Sequence, residues 1–535
     1  MRNVIRTPDY PVVATKLGKL HGFVQDGVFH FHGIRYGTAE RFELPEMEQP
    51  WEGIRDAKAY GYVCPLMPEG RAAQTAIIHD PNDRENPFAK PFSSFEMPHT
   101  YWPMDEQCLY LNIWTKHIDA DAKRPVMVWL HGGGFGAGSS IELPSYDGHN
   151  LAEYGNVVIV SIDHRLNCIG FLNLSSFGEE FKYSGIAGMA DVVLALQWVR
   201  ENIAFFGGDP DNVTVAGQSG GGGKAAMLLQ MPAADGLYHK VISQSGVLKT
   251  GRENSLKDEK ESKQQIGRKT AELLGLTEKN IGQIRKISYE QLSEAVSKAG
   301  RELDLMPGLM MLSPSPVPGY YDGQYAITGF RKETANIPVM AGNVLGEFNF
   351  MHYLGDKTRY SEQEKRDMLK ETFGDKADRI TDLFNNLYPG KDILYALGID
   401  SLFRPMTVDY LDARAAYLHK NSFETKCWNY QVSAIVPYLG GITLYHCGDI
   451  AFAFRNVEKE PVLCTATEYA QELEDRMSEA WLAFMEKGNP STDKLSWEPY
   501  TWERKVRMQF DTVSSITGKD DTELMELARP DVGAF

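Results

Sequence analysis

The chain has 535 residues, 43% of them hydrophobic, enough apolar side chain to bury a substantial core. Its 72 acidic against 55 basic residues leave a formal charge of −17, which argues against a nucleic-acid partner and against electrostatic attachment to an anionic membrane. No run of about 18 apolar residues occurs, so no membrane span is expected.

Residues 1–19 contain no apolar stretch of the kind a secretory leader carries, so a cytoplasmic location is expected, or a secreted one if a leader was removed. The first strong chemical signal follows the strand-like run Val126-Met127-Val128-Trp129-Leu130, which ends in His131-Gly132-Gly133-Gly134-Phe135. Glycines there leave backbone N–H groups open to an approaching carbonyl oxygen, and each such donor stabilises a developing oxyanion by roughly 3 kcal/mol. Gly133 and Gly134 are the expected donors.

Residues 189–199 read as an apolar helix, and Val213-Thr214-Val215 as a short buried strand. Ala225 to Leu229 continue as a helix of low polarity. Between them lies Gly217-Gln218-Ser219-Gly220-Gly221, a G-x-S-x-G segment in the strand–turn–helix setting of a nucleophile elbow. A phosphate loop does not fit, because Gly223-Lys224 is preceded at the required spacing by Gln218 and followed by Ala225. A merely structural glycine turn stays open on this segment alone; taken with the glycine loop upstream, Ser219 is the candidate nucleophile, with the Gly220 N–H as a third oxyanion donor. The alternation of apolar strands and helices predicts a mostly parallel sheet covered on both faces.

Further along, residues 253–274 and 361–387 read as polar helices lying over the C-terminal strand edge, and the charge run at 257–261 as a solvated face. Met306, Met310 and Met311 form an apolar cluster that lines an acyl pocket or packs in the core. Trp102 is read as packing rather than as a platform for a quaternary ammonium.

Several segments then resemble the type-B carboxylesterase and cholinesterase family in order along nearly the whole chain. They include Phe31-His32-Gly33-Ile34-Arg35-Tyr36 with Arg41-Phe42, and Glu106-Gln107-Cys108-Leu109-Tyr110-Leu111-Asn112. Phe206-Gly207-Gly208-Asp209-Pro210 precedes the elbow, and Gly488-Asn489-Pro490 with Trp497 and Pro499-Tyr500 lies near the end. The resemblance implies an α/β-hydrolase fold: one domain over residues 1–535, with a large, mostly parallel central sheet, helices on both faces and helical excursions over the active site.

In such folds the acid and then the histidine follow the serine. His446, in His446-Cys447-Gly448-Asp449-Ile450, resembles the family's catalytic histidine segment, whereas His352 and His419 lack that context. Glu347, in Gly346-Glu347-Phe348, resembles the family's catalytic acid, although the family usually places Asp before it and Gly after it. Asp449 is the rival acid, read instead as a neighbour or helix-start residue. Ser245 matches a family serine that supports the acid.

The implied activity is serine carboxylic-ester hydrolysis through an acyl-enzyme, on a small or medium ester and without metal or cofactor. An ordinary imidazole titrating near about 6.5 would make activity rise through neutral pH. Gln218 stands where the family usually has Glu before the nucleophile, which removes a negative charge and favours an uncharged ester. The alternatives are a non-catalytic binding or adhesion module of the same fold, or a hydrolase of amides or thioesters. The six cysteines lack the spacing of a zinc or redox centre, and Cys64 with Cys108 resembles the family's first disulfide loop, its pairing dependent on compartment.

Overall fold

The computed structural model describes residues 2–68, 98–247, 255–305, 311–348, 351, 354–466 and 468–529. The chain divides into two compact units: residues 243–248 and 338–535 belong to the second, and the N-terminal segment with residues 100–242 and 255–337 to the first.

In the first unit the sheet strands are β1 (Val4–Ile5), β2 (Phe23–Gln25), β3 (Val28–Arg35), β4 (Tyr110–Thr115), β5 (Arg124–Leu130), β6 (Val158–Ile162), β7 (Gly208–Gln218) and β8 (Lys240–Gln244), whose last two residues are counted with the second unit. Their order is β1-β2-β3-β4-β6-β5-β7-β8. The N-terminal edge is antiparallel, and β6, β5 and β7 run parallel. That difference follows burial: Val126 to Leu130 and Val158 to Ile162 are apolar on nearly every residue and are buried on both faces, as a helix-covered parallel strand must be. Helix α1 (Ala187–Asn202) buries thirteen of its residues, among them Trp198 and Val199, which accounts for its weak amphipathicity.

The register decides where the functional loops emerge. Leu130 on β5 lies opposite Gly217 on β7, so the carboxyl ends of these parallel strands are side by side. The segment 131–134 and the turn at Ser219 therefore leave the sheet as neighbours.

In the second unit β9 (Val339–Val344), β10 (Cys427–Val432), β11 (Arg507–Phe510) and β12 (Ser515–Thr517) lie in that order, parallel until the last pair. The polar stretch predicted over residues 361–387 is two helices, α3 (Glu362–Phe373) and α4 (Ala377–Leu387). Ser361 begins the first with a capping box shared with Glu364. Ile380, Phe384 and Leu387 pack with Leu369, Leu394 and Leu524 into one apolar cluster, which anchors these otherwise charged helices. The other polar stretch forms helix Leu256–Leu273 of the first unit, and Glu253 lies outside the described residues.

Candidate active site

Ser219 joins β7 to helix α2 (Gly220–Leu228) with φ 55° and ψ −127°, a conformation costly for any residue with a side chain. The glycines explain how the turn is held. A Cβ on Gly221 would lie 1.9 Å from the Leu130 carbonyl oxygen, and one on Gly217 would lie 2.4 Å from the Gly221 carbonyl carbon. Backbone at van der Waals contact on both sides leaves the serine no relaxed alternative. Its side chain is half-exposed, while Gln218 and Gly220 are buried.

The glycine loop after β5 packs directly on this elbow. Gly133 and Gly134 take φ of 82° and 61°, and the Gly133 carbonyl accepts hydrogen bonds from the N–H groups of Gly136 and Ala137. A Cβ on Gly220 would sit 2.2 Å from the Gly134 oxygen and 2.5 Å from its nitrogen, so these two residues meet backbone to backbone. Among the described residues no acceptor takes the N–H of Gly133, Gly134 or Gly220. Donors held by strand ends and clustered in this way can stabilise an oxyanion without reorganising.

In the second unit Glu347 follows the carboxyl end of β9 with φ 36°. Gly346 before it is obligatory, since a Cβ there would fall 2.0 Å from Thr443 Oγ1. The close pass lets Gly346 N–H donate to Leu444 O and His446 N–H donate to Glu347 O, which aligns the two loops. The side chains then meet: His446 Nδ1 lies 2.5 Å from Glu347 Oε2. The other carboxyl oxygen accepts from Ser245 Oγ at 2.7 Å and from Val344 N–H at 3.0 Å. Ser245, itself at φ 44°, is fixed by its N–H donating to Gly342 O.

Burial dominates the electrostatics of this pair. It pushes the His446 imidazole down to about 4, so the ring is a neutral base at pH 7. It pushes the Glu347 carboxyl up, against the opposing hydrogen bonds from Ser245 and Val344. The dry surroundings are aromatic: Phe348 and Phe403 lie 4.3 and 4.9 Å from the imidazole, centroid to centroid. Asp449, the rival acid, is buried at the start of helix Gly448–Phe454 and accepts from the Tyr430 hydroxyl at 2.9 Å. His419 is exposed and pairs with Glu503, and His352 lies outside the described residues.

Two contributors carried no usable sequence signal. Phe403 lies 43 residues from His446 on a helix (Phe403–Lys420) whose start is capped by Asp400, which accepts from the N–H groups of Leu402, Phe403 and Arg404. An Asp three residues before an apolar helix start could have marked that cap, but nothing marks the ring's partner. Lys224 on α2 is fully buried, with Nζ 3.5 Å from His131 O and over the ring of Phe135, and burial lowers its amine to about 7.

The remaining predicted positions are structural neighbours. Gln107 accepts from Arg35 and donates to Ala39 O, beside the Arg41–Glu106 ion pair. Trp102 meets Tyr60 edge-on, and Tyr60 stacks on His32, a packing arrangement. Cys64 and Cys108 are buried thiols in hydrogen-bond contact, without a bridge. Met306 and Met310 lie outside the described residues, and Met311 is half-buried. Among the described residues no group of three or more His, Cys, Asp or Glu is placed to hold a metal, and no helix is long and apolar enough to cross a membrane.

The model of the carboxylesterase family matches residues 9–527. The chain belongs to that family. It is 31% identical to the para-nitrobenzyl esterase of Bacillus subtilis (strain 168), over 98% of this chain and 99% of that protein. It is 28% identical to the phenmedipham hydrolase of Pseudarthrobacter oxydans, over 97% and 98%. A solved structure described as an esterase from anaerobic Clostridium hathewayi that can hydrolyze aliphatic aromatic polyesters superposes with TM-score 0.86 at 38% identity, covering 99% of both chains. The fold is that of the α/β-hydrolases, and family membership makes this carboxylesterase a carboxylic-ester hydrolase. The non-catalytic adhesion reading is set aside by the same esterase relatives.

Proposed function

We propose that Ser219, His446 and Glu347 hydrolyse the ester by two acyl transfers, and that the chain works as one catalytic domain. Ser219 Oγ attacks the ester carbonyl while His446 Nε2 takes its proton. With Nδ1 engaged by Glu347, Nε2 is the nitrogen that acts. The tetrahedral oxyanion is met by the N–H groups of Gly133, Gly134 and Gly220. Collapse of that intermediate breaks the bond to the alcohol oxygen, which leaves with the proton from His446. Water, deprotonated by the same imidazole, then releases the acid and restores Ser219.

The observation that carries this reading is the 2.5 Å contact between His446 and Glu347, secured on its far side by Ser245. An uncharged ester of small or medium size is favoured, supported by the neutral Gln218 buried beside the nucleophile.

The test is turnover of p-nitrophenyl acetate through octanoate by the wild-type chain and by Ser219→Ala. Loss of at least about a thousandfold in kcat is expected in the variant. Turnover retained by a folded Ser219→Ala would assign the chemistry to another group.

A further inference from the structure

The two rings packed on His446 are not equivalent. Phe403 is 4% exposed and lies nearly parallel to the imidazole, at 25°. Phe348 is tilted at 37°, lies closer, and keeps 46% of its surface open to solvent. Phe403 is thus the buried backing of the histidine, while Phe348 has a ring surface with nothing of the described chain upon it. Single exposed aromatics are common on any protein, so exposure by itself says little. What distinguishes Phe348 is that its neighbour is the general acid–base.

The position of the leaving group follows from the chemistry. To protonate the departing alkoxide, His446 must come within about 3 Å of the alcohol oxygen. Whatever is bonded to that oxygen lies one or two atoms further on. With Phe348 only 4.3 Å from the imidazole, centroid to centroid, a ring attached there has Phe348 as an aromatic neighbour within reach of the roughly 4.5–7 Å separation at which aromatic pairs attract.

We propose that Phe348 is a substrate-binding residue, an aromatic platform that selects esters whose alcohol half carries an aryl ring. This assignment rests on His446 being the acid–base of the proposed ester hydrolysis. The ring contact forms with the leaving group in place and is kept while the proton moves to it, so it acts on kcat/KM. Its magnitude is that of one ring–ring contact beyond simple burial, about three- to tenfold.

The experiment compares benzyl acetate with cyclohexylmethyl acetate, which share an acyl group and nearly share a volume, in the wild-type chain, Phe348→Leu, Phe348→Tyr and Ser219→Ala. Wild type and Phe348→Tyr are expected to favour the benzyl ester in kcat/KM by about three- to tenfold, and Phe348→Leu to bring the ratio close to one. A ratio near one in wild type, or one unchanged in Phe348→Leu, overturns the proposal. Methyl phenylacetate against methyl cyclohexylacetate supplies the second arm: an aromatic preference found there and lost in Phe348→Leu would move the platform to the acyl half and overturn the assignment. If Ser219→Ala still hydrolyses both acetates, it is the underlying serine mechanism that fails, and the ratio in Phe348→Leu still judges the platform.

Discussion

Glu347 and His446 are joined twice, once by their backbones, where the His446 N–H donates to the Glu347 carbonyl at 2.8 Å, and once by their side chains at 2.5 Å. The backbone bond sets the two Cα atoms at a fixed separation before either side chain chooses a rotamer. The carboxylate then has one approach to Nδ1, and the imidazole is held in a single orientation. Ser245 completes the restraint from the opposite carboxyl oxygen.

The pH dependence follows from the burial of that pair. A histidine lowered from 6.5 to about 4 stays an active base well below neutral, so the acid limb of kcat/KM is expected below pH 6, rather than at the ordinary imidazole value that the sequence suggested. Opening the site with Phe348→Gly returns water to the ring and should move the limb upward. The same shift carries a stability term. The unfolded chain binds the His446 proton between about pH 4 and 6.5 and the folded one does not, a contribution that lowers stability as pH drops through that window, whereas Glu347, raised to about 8, holds a proton in the folded chain that the unfolded one releases and contributes in the opposite sense between about pH 4.5 and 8. Steady-state rates from pH 4 to 8 check the limb; one at 6.5 or above in wild type refutes the burial argument.

Ser245→Ala removes a hydrogen bond to a buried carboxylate while leaving His446 and Glu347 in contact. Leaving a buried group short of a hydrogen-bond partner costs about 1–3 kcal/mol, so kcat should fall roughly five- to a hundredfold with little change in KM. Ser245→Thr, which keeps the hydroxyl, should recover most of the loss. Equal losses in both variants would assign Ser245 to packing instead.

Among the described residues Lys224 has no carboxylate within ion-pair distance; it is buried beside His131 and His164, with Cys64 and Glu142 as the nearby acidic groups. Its folded value of about 7 lies below its unfolded value near 10.5, so charging it in the folded state is costly below pH 7 and the cost disappears as pH rises toward 10.5. Lys224→Met, similar in shape and uncharged, is expected to be more stable than wild type by roughly 1–4 kcal/mol at pH 7, with a smaller difference at pH 9.5. Denaturant melts at the two pH values measure this. A variant less stable at pH 7 would show that the ammonium holds the loop at His131 O.

The sequence by itself carried everything that is local. Strand, turn and helix around Ser219 and the glycine loop after Leu130 were legible because each depends on a few consecutive residues whose allowed backbone angles and apolar spacing are set by their side chains. Chain order and motif context narrowed the histidine to His446. Tertiary structure decided the rest. That Leu130 pairs with Gly217, that Phe403 and Phe348 pack on His446 and that Lys224 is buried all depend on strand register and helix placement. Contacts between residues so far apart in the chain leave no periodicity in it, because they are selected by the packing of whole elements, and burial then sets the chemistry of the groups enclosed.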